Sequence, residues 1–433
     1  MKVLLIQPFA GYKLPNIVMK LSASLPAYPN LTLQQLAGIC PEDCELEVVD
    51  ENRGDKIDFE NKYDLVAITC RTATVPRAYA IADSFRKNDT KVVIGGYHPT
   101  ALPDEAKKHA DSVIIGEAEI SFKKAIEDLK KDKLKPYYNS VTVNPKLIPP
   151  ARRDVIDYYL SIAAIEATRG CPVNCDFCFV HKVKGKIHRK RPIDNVIDEI
   201  KSIKQKNLMF FDASLTTNVN YTKELFKKMI PLNKRFQCYG NVNVLAKNDE
   251  LLKVASDAGC TSWCIGFEAI SQDILKNIGK TTNKIKDYKV AVEKIKDYNM
   301  LISGSFIFGF DGHNLDTFKE TRNMLKQLPI DVICFNILTP FPGTKLYDRI
   351  KKEKRITSND WTRYSCAQTV FKPKNMTEEQ LYDGTIWLLN DFYKITSVIK
   401  RVLNNIGHGY YPFIYSFLGN LLFYSRKFDP GRN

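Results

Sequence analysis

Short apolar runs alternate with amphipathic stretches along the first 135 or so residues. Lys2–Gln7, Glu45–Asp50, Leu65–Thr69, Val92–Gly95 and Ser112–Ile115 are apolar at nearly every position, and each ends in a polar or glycine-bearing turn. Thr32–Cys40, Pro76–Lys87 and Ile120–Leu129, between them, carry helical patterns. Strands without polar alternation are buried on both faces, so the pattern predicts a doubly wound parallel sheet covered by helices. Open sheets of this kind bind ligands beyond the carboxyl ends of their strands. Those ends are Gln7-Pro8, Thr69-Cys70-Arg71-Thr72, Gly95-Gly96-Tyr97-His98-Pro99 and Gly116-Glu117, which makes residues 1–135 a binding domain.

Pro136, Pro145, Pro149 and Pro150 break any period over 136–158, which reads as an extended linker. The alternation then restarts. Ile162–Thr168, Leu208–Asp212, Phe236–Tyr239, Ser262–Phe267, Leu301–Phe308 and Val332–Leu338 are strand candidates, with amphipathic helices between them. Ile193, Val196, Ile197, Ile200 and Ile203 mark one such apolar stripe. Six β–α units fall short of the ~250 residues a closed eightfold barrel needs, so 159–371 reads as a partial, open (β/α)6 barrel. From 372 to 433 the pattern turns helical and ends in a basic, aromatic-rich stretch from Tyr410 to Phe428.

Composition narrows the class. The chain has 433 residues, 44% hydrophobic and 26% charged, which suits two or three globular domains and excludes a disordered or fibrous chain. Its net charge of +15 suits phosphates, nucleic acid or anionic head groups, and equally a well-solvated surface. No apolar run is long enough to span a bilayer, and Met1–Ile6 is too short for a signal peptide, so a cytoplasmic location is expected. Eleven cysteines in that compartment stay reduced; where they cluster, they point to metal or catalysis before disulfides.

They cluster at Arg169-Gly170-Cys171-Pro172-Val173-Asn174-Cys175-Asp176-Phe177-Cys178, directly after the first barrel strand, at the end where barrels place their chemistry. Soft thiolates at C-x3-C-x2-C spacing suit an iron–sulfur cluster or zinc. A four-iron cluster takes one thiolate per iron, so three leave one iron open to a substrate or cofactor. Structural zinc wants a fourth ligand, and Cys40/Cys44 or Cys260/Cys264 are the pairs on offer.

The C-x3-C-x-F-C loop, with Phe177 before the last cysteine, resembles the signature of the radical S-adenosylmethionine (SAM) superfamily. The six β–α repeats resemble that family's partial TIM barrel. The resemblance implies that Cys171, Cys175 and Cys178 hold a [4Fe–4S] cluster whose fourth iron binds SAM, and that one electron releases a 5′-deoxyadenosyl radical. It also implies SAM contacts from Phe177, Asp212 and Ser214 at the second strand end, Glu268 at the fourth, Gly309 at the fifth and Thr339 at the sixth. The expected electron source is a flavodoxin or ferredoxin.

Gly95-Gly96-Tyr97-His98-Pro99-Thr100, Ile115-Gly116-Glu117-Ala118-Glu119 and Tyr28-Pro29-Asn30-Leu31 resemble the subgroup with a Rossmann-like cobalamin-binding domain ahead of the barrel. Thr69, Gly95, Gly96, His98, Gly116 and Glu117 would then line cobalamin, although the D-x-H-x-x-G motif that supplies a cobalt-ligating histidine is absent. The activity implied is methylation of an unactivated carbon in a small-molecule or lipid substrate. A second reading keeps the radical chemistry but leaves the first domain empty, giving rearrangement, cyclisation or group transfer. A third, a basic nucleic-acid-binding protein with a structural metal, lacks the fourth ligand it needs. The tail could lie on a membrane surface or pack as core, and the basic run His181–Arg191 could steer an acidic electron donor or an anionic substrate.

Overall fold

The computed structural model describes residues 1–9, 31–140, 142–156, 162–405 and 419–420. The segments expected to matter at Tyr28–Asn30 and across Tyr410–Phe428, apart from 419–420, lie outside the described residues.

Six parallel strands form the first sheet: β1 (Lys2–Gln7), β2 (Glu45–Asp50), β3 (Leu65–Cys70), β4 (Lys91–Gly96), β5 (Ser112–Gly116) and β6 (Tyr137–Ser140), in the order β2-β1-β3-β4-β5-β6. Alternate side chains feed two separate cores, which is why the strands read as unbroken apolar runs. Leu4, Ile6, Val66 and Ile68 pack with Ala78, Ile81, Ala82 and Phe85 of helix Val75–Lys87. Val3, Leu5, Leu65 and Ala67 pack on the other side with Leu33 and Ala37 of helix Leu31–Ile39, and with Phe122, Ala125 and Ile126 of helix Ala118–Leu129. β6 lies inside the stretch expected to be linker. Its sequence, Tyr-Tyr-Asn-Ser, has no apolar run because it is an edge strand, held by Val113↔Tyr137 through Gly116↔Ser140.

The second sheet is also parallel. β7 (Ile162–Ile165), β10 (Asn207–Phe210), β11 (Arg235–Tyr239), β12 (Cys260–Glu268), β13 (Leu301–Phe308) and β14 (Val332–Ile337) follow in sequence order, and β7 and β14 do not pair with each other. The barrel is therefore open, as expected. Between β7 and β10, an antiparallel ribbon of β8 (Thr168–Arg169) and β9 (Arg189–Lys190) pairs Thr168 with Lys190 and Arg169 with Arg189. The first barrel strand is thus shorter than its apolar pattern, because the chain leaves the sheet at Glu166 and enters the ribbon that carries the cysteine loop.

Helix Glu378–Phe392, closed by a Thr377/Gln380 capping box, packs on the β14 edge. Beyond it, the Tyr393 hydroxyl donates to the Ile333 carbonyl and accepts from its N–H, both at 2.8 Å. That satisfies backbone groups an exposed edge would leave open to another chain.

Candidate active site

The β8–β9 ribbon is the stem of the cysteine loop. Gly170 has φ +79°, and a Cβ there would strike the Ile187 carbonyl, so the tight crossing of the stem requires glycine. Across the loop, Cys171 N–H donates to Gly185 O at 3.3 Å and Cys178 N–H to Cys175 O at 3.2 Å. A turn after β12 supports it from below, where Asp176 N–H donates to Ile278 O at 3.0 Å. Cys175 is buried, with its Sγ 3.9 Å from Gly279 O, while Cys171 and Cys178 are half-buried.

Burial pushes the Cys175 thiol up to about 12 and raises Cys178 too; the Lys280 charge works against both shifts. The half-buried Lys280 donates to Glu268 at 2.9 Å, and the Glu268 charge also reaches both thiols. Among the described residues no three His, Cys, Asp or Glu side chains converge to hold a single metal ion. A cubane spreads its ligands over separate irons, so three spaced thiols beside one half-buried cation fit it where a single zinc does not.

The residues expected to touch SAM divide into two sets. Glu268 ends β12 at φ +64°, an uncommon left-handed conformation for a glutamate, at a register shift between Gly266 and Glu268. Strain of that kind persists where the surroundings enforce it, and here the Lys280 contact does so. Phe177 lies 5.9 Å from Phe310, centroid to centroid. Gly309 (φ +106°) ends β13 beside Leu338, and Thr339 follows with its hydroxyl on Ile337 O at 3.1 Å. Ser214 shares a 3.0 Å hydrogen bond with Thr216.

Asp212 behaves differently. It accepts from Ala167 N–H at 3.2 Å and from both the N–H and, at 2.6 Å, the hydroxyl of Thr168. Burial pushes its carboxyl up to about 7, against the pull of the Thr168 donors. The carboxylate thus pins the chain where it leaves β7, two residues before Gly170; its donors are protein groups rather than an incoming amino group.

In the first domain, Thr69 stands in register with Gly95, and Cys70 with Gly96. Gly96 has φ +108° and a Cβ there would strike the Cys70 carbonyl, so the close approach of these two strand ends requires glycine. Gly116 N–H donates to the Thr100 hydroxyl at 3.0 Å. His98 is buried with Nε2 3.0 Å from Glu105, which also accepts from Tyr79 and, at 3.1 Å, from the Trp361 indole. That network ties the β4 end to the segment after β14 through Nε2 of His98, while its Nδ1 is buried with no hydrogen-bond partner among the described residues.

Glu117 accepts from Arg189 through both oxygens, at 2.6 and 2.9 Å, and from Val143 N–H at 2.6 Å. It belongs to a buried cluster joining the two sheets. Arg169 Nε meets Glu166 at 2.6 Å, its Nη2 meets Glu119 at 2.6 Å, and Nη1 lies 3.7 Å from Glu117. Lys184 completes it on Glu166. Three cations face three carboxylates, so the cluster is neutral, and Glu117 is engaged in an inter-domain tie. Arg169, Glu166 and Lys280 gave no signal of these roles in sequence, because their partners Glu119, Lys184 and Glu268 lie on other elements.

Aromatic rings close the seam between the domains. Tyr97, which follows β4, meets Phe179 edge-on at 4.4 Å, and Phe179 meets Phe341 at 5.5 Å. Phe179 directly follows Cys178. The carboxyl edge of the first sheet therefore faces the cysteine loop.

Residues 165–325 match the radical SAM superfamily and residues 28–126 the B12 binding domain. The chain belongs to the radical SAM superfamily, in the group with a B12-binding domain ahead of the barrel, and is an enzyme of the methyltransferase kind. It is similar to bacteriochlorophyllide d C-12(1)-methyltransferase of Chlorobaculum tepidum, 33% identical over 416 residues that cover 93% of this chain and 89% of the relative. Among solved structures it shares the fold of the radical SAM methyltransferase TsrM from Kitasatospora setae, solved with cobalamin and a [4Fe–4S] cluster (TM-score 0.71, 16% identity, covering 98% of this chain and 99% of that one). It shares it too with the cobalamin-dependent enzyme OxsB, solved with aqua-cobalamin and SAM (TM-score 0.72, 15% identity, 97% and 72%). The family expected from the cysteine loop and the α/β fold expected from the patterning are both borne out. No helix among the described residues is long and apolar enough to cross a membrane.

Proposed function

We propose that this protein methylates an unactivated carbon of a small organic substrate, with Cys171, Cys175 and Cys178 holding a [4Fe–4S] cluster and the carboxyl edge of β3 to β5 holding cobalamin. The observation that carries this reading is the seam of Tyr97, Phe179 and Phe341, which sets that edge against the cysteine loop. When bound, cluster and SAM supply a carbon-centred radical and cobalamin a methyl group. A methyl group cannot reach an sp3 C–H carbon by polar displacement, which accounts for two cofactor domains on one chain.

The chain's own groups orient and shield. Lys280, half-buried and paired with Glu268, offsets negative charge beside the thiolates. Glu268, Gly309 and Thr339, at the ends of successive strands, would contact SAM, with Phe177 covering it. Thr69, Gly95, Gly96 and Gly116, at the carboxyl ends of β3, β4 and β5, would line the cobalamin site. The aromatic seam keeps water from the gap. A flavodoxin or ferredoxin would supply electrons. The similarity to a bacteriochlorophyllide methyltransferase makes that molecule the first substrate to try.

The test is turnover with SAM deuterated in its methyl group, against bacteriochlorophyllide and a small-molecule extract of the source cells. The expected result is a product carrying the labelled methyl on carbon together with 5′-deoxyadenosine. Deoxyadenosine without any labelled methyl product would instead favour the rearranging or coupling enzyme.

A further inference from the structure

The basic run at His181–Arg191 is not one patch. Lys184 and Arg189 are consumed by the buried cluster, and Arg191 pairs with Glu199 at 2.7 Å. Lys182, Lys186 and Lys190 remain exposed, and Lys345 joins them from the helix after β14. The Lys182 side chain packs on Gly343, two residues before Lys345. Asp176 is the acid beside them, 3.9 Å from Lys345 and half-buried. Among these cations Ile187 is 72% exposed, and its carbonyl packs on Gly170, one residue before Cys171.

We infer that this loop, with Ile187 at its centre and Lys182, Lys186, Lys190 and Lys345 around it, is the docking surface for an acidic one-electron carrier protein of the flavodoxin or ferredoxin type. Three physical facts converge. Electron transfer falls steeply with distance, so the donor must dock where little protein separates it from the cluster. The 185–187 backbone touches the stem of the cysteine loop directly, through Cys171 N–H on Gly185 O and Gly170 against Ile187 O. The first domain covers the other approach through Tyr97 and Phe179. Transient redox complexes are small and use charge for encounter rather than large area for affinity; one exposed aliphatic residue within a cationic rim suits that mode. In the step itself the reduced carrier loses one electron, the cluster gains it, and no bond or proton changes hands.

This inference rests on the radical SAM reading but not on methyl transfer. The test uses the anaerobically reconstituted full chain carrying Lys182→Glu, Lys186→Glu and Ile187→Ser, with reduced flavodoxin or ferredoxin and, separately, with dithionite. Carrier binding to the unmodified protein, read by titration, is expected to weaken with added salt; in the variant it is expected to be about tenfold weaker and less salt-dependent, with carrier-driven SAM cleavage down about tenfold. Iron content and dithionite-driven cleavage should match the unmodified protein. Ile187→Ser alone should show the same selectivity at smaller size, which guards against a folding defect in the triple variant. Equal loss with both reductants, unchanged carrier-driven cleavage, or an unmodified protein that binds neither carrier would overturn the proposal. Because SAM cleavage is the readout, a failure to methylate would count against the proposed function and leave this surface standing.

Discussion

Arg169→Met would remove the centre of the inter-domain cluster while keeping a long apolar stem. Arg169 makes two charged hydrogen bonds of 2.6 Å, to Glu166 and Glu119, and its side chain is 6% exposed. Hydrogen bonds to charged groups contribute about 1.5–3 kcal/mol each, and removing one partner of a buried ion pair costs about 3–5 kcal/mol. The two routes agree on roughly 4 kcal/mol, because three buried carboxylates are left to Lys184 and Arg189 alone. Near 1.4 kcal/mol per decade, that is about three decades of faster amide exchange at residues 167–169 and 116–119. The assay is hydrogen exchange by mass spectrometry on the protein without cofactors. Arg169→Met combined with Glu119→Met should cost less than the sum of the two single changes, since the second change removes a stranded charge. Exchange accelerated by less than about tenfold at both segments would mean that the cluster is effectively solvated and does not join the domains.

Gly96→Ala forces a side chain onto a backbone at φ +108° and against the Cys70 carbonyl; it should destabilise the first domain by about 3 kcal/mol and lower corrinoid content, with iron content unchanged. His313 is buried and pushed down to about 4 by burial, with Nδ1 accepting from Gly309 N–H at 3.2 Å. Its depressed value means that the stability it contributes is present above the unfolded pKa near 6.5 and lost as pH falls toward 4. Relative to a His313→Gln variant, the wild type should therefore lose about 3 kcal/mol across that window in urea titrations. A constant difference between the two from pH 7 to pH 4 would contradict the buried neutral state.

Elements whose burial is set by their own side chains were legible. β1, β2 and β13 run as their apolar patterns predict, and the stripe from Ile193 to Ile203 lies on helix Ile193–Ser202 with Val196, Ile197 and Ile200 buried. β6 was hidden because its pairing with β5, not its composition, makes it a strand. The cysteine loop was readable because its three thiols sit within eight residues. The roles of the polar residues were not, because they are decided by partners far along the chain. Glu117 bonds Arg189, 72 residues on; Asp212 bonds Thr168, 44 residues back; and Trp361 reaches Glu105 from 256 residues away. Glu117 and Asp212 do stand just past strand ends, but their partners come from distant parts of the chain.

The most direct measurement of the central claim is the cofactor stoichiometry of the chain reconstituted without oxygen, with iron, sulfide, cobalt and SAM cleavage assayed on the same sample. The account predicts about four irons and one corrinoid per chain, with deoxyadenosine formed on reduction, and loss of iron and cleavage but not of corrinoid in Cys178→Ala. A preparation that holds zinc instead of iron, or a Cys178→Ala protein that keeps its cluster and still cleaves SAM, would contradict it.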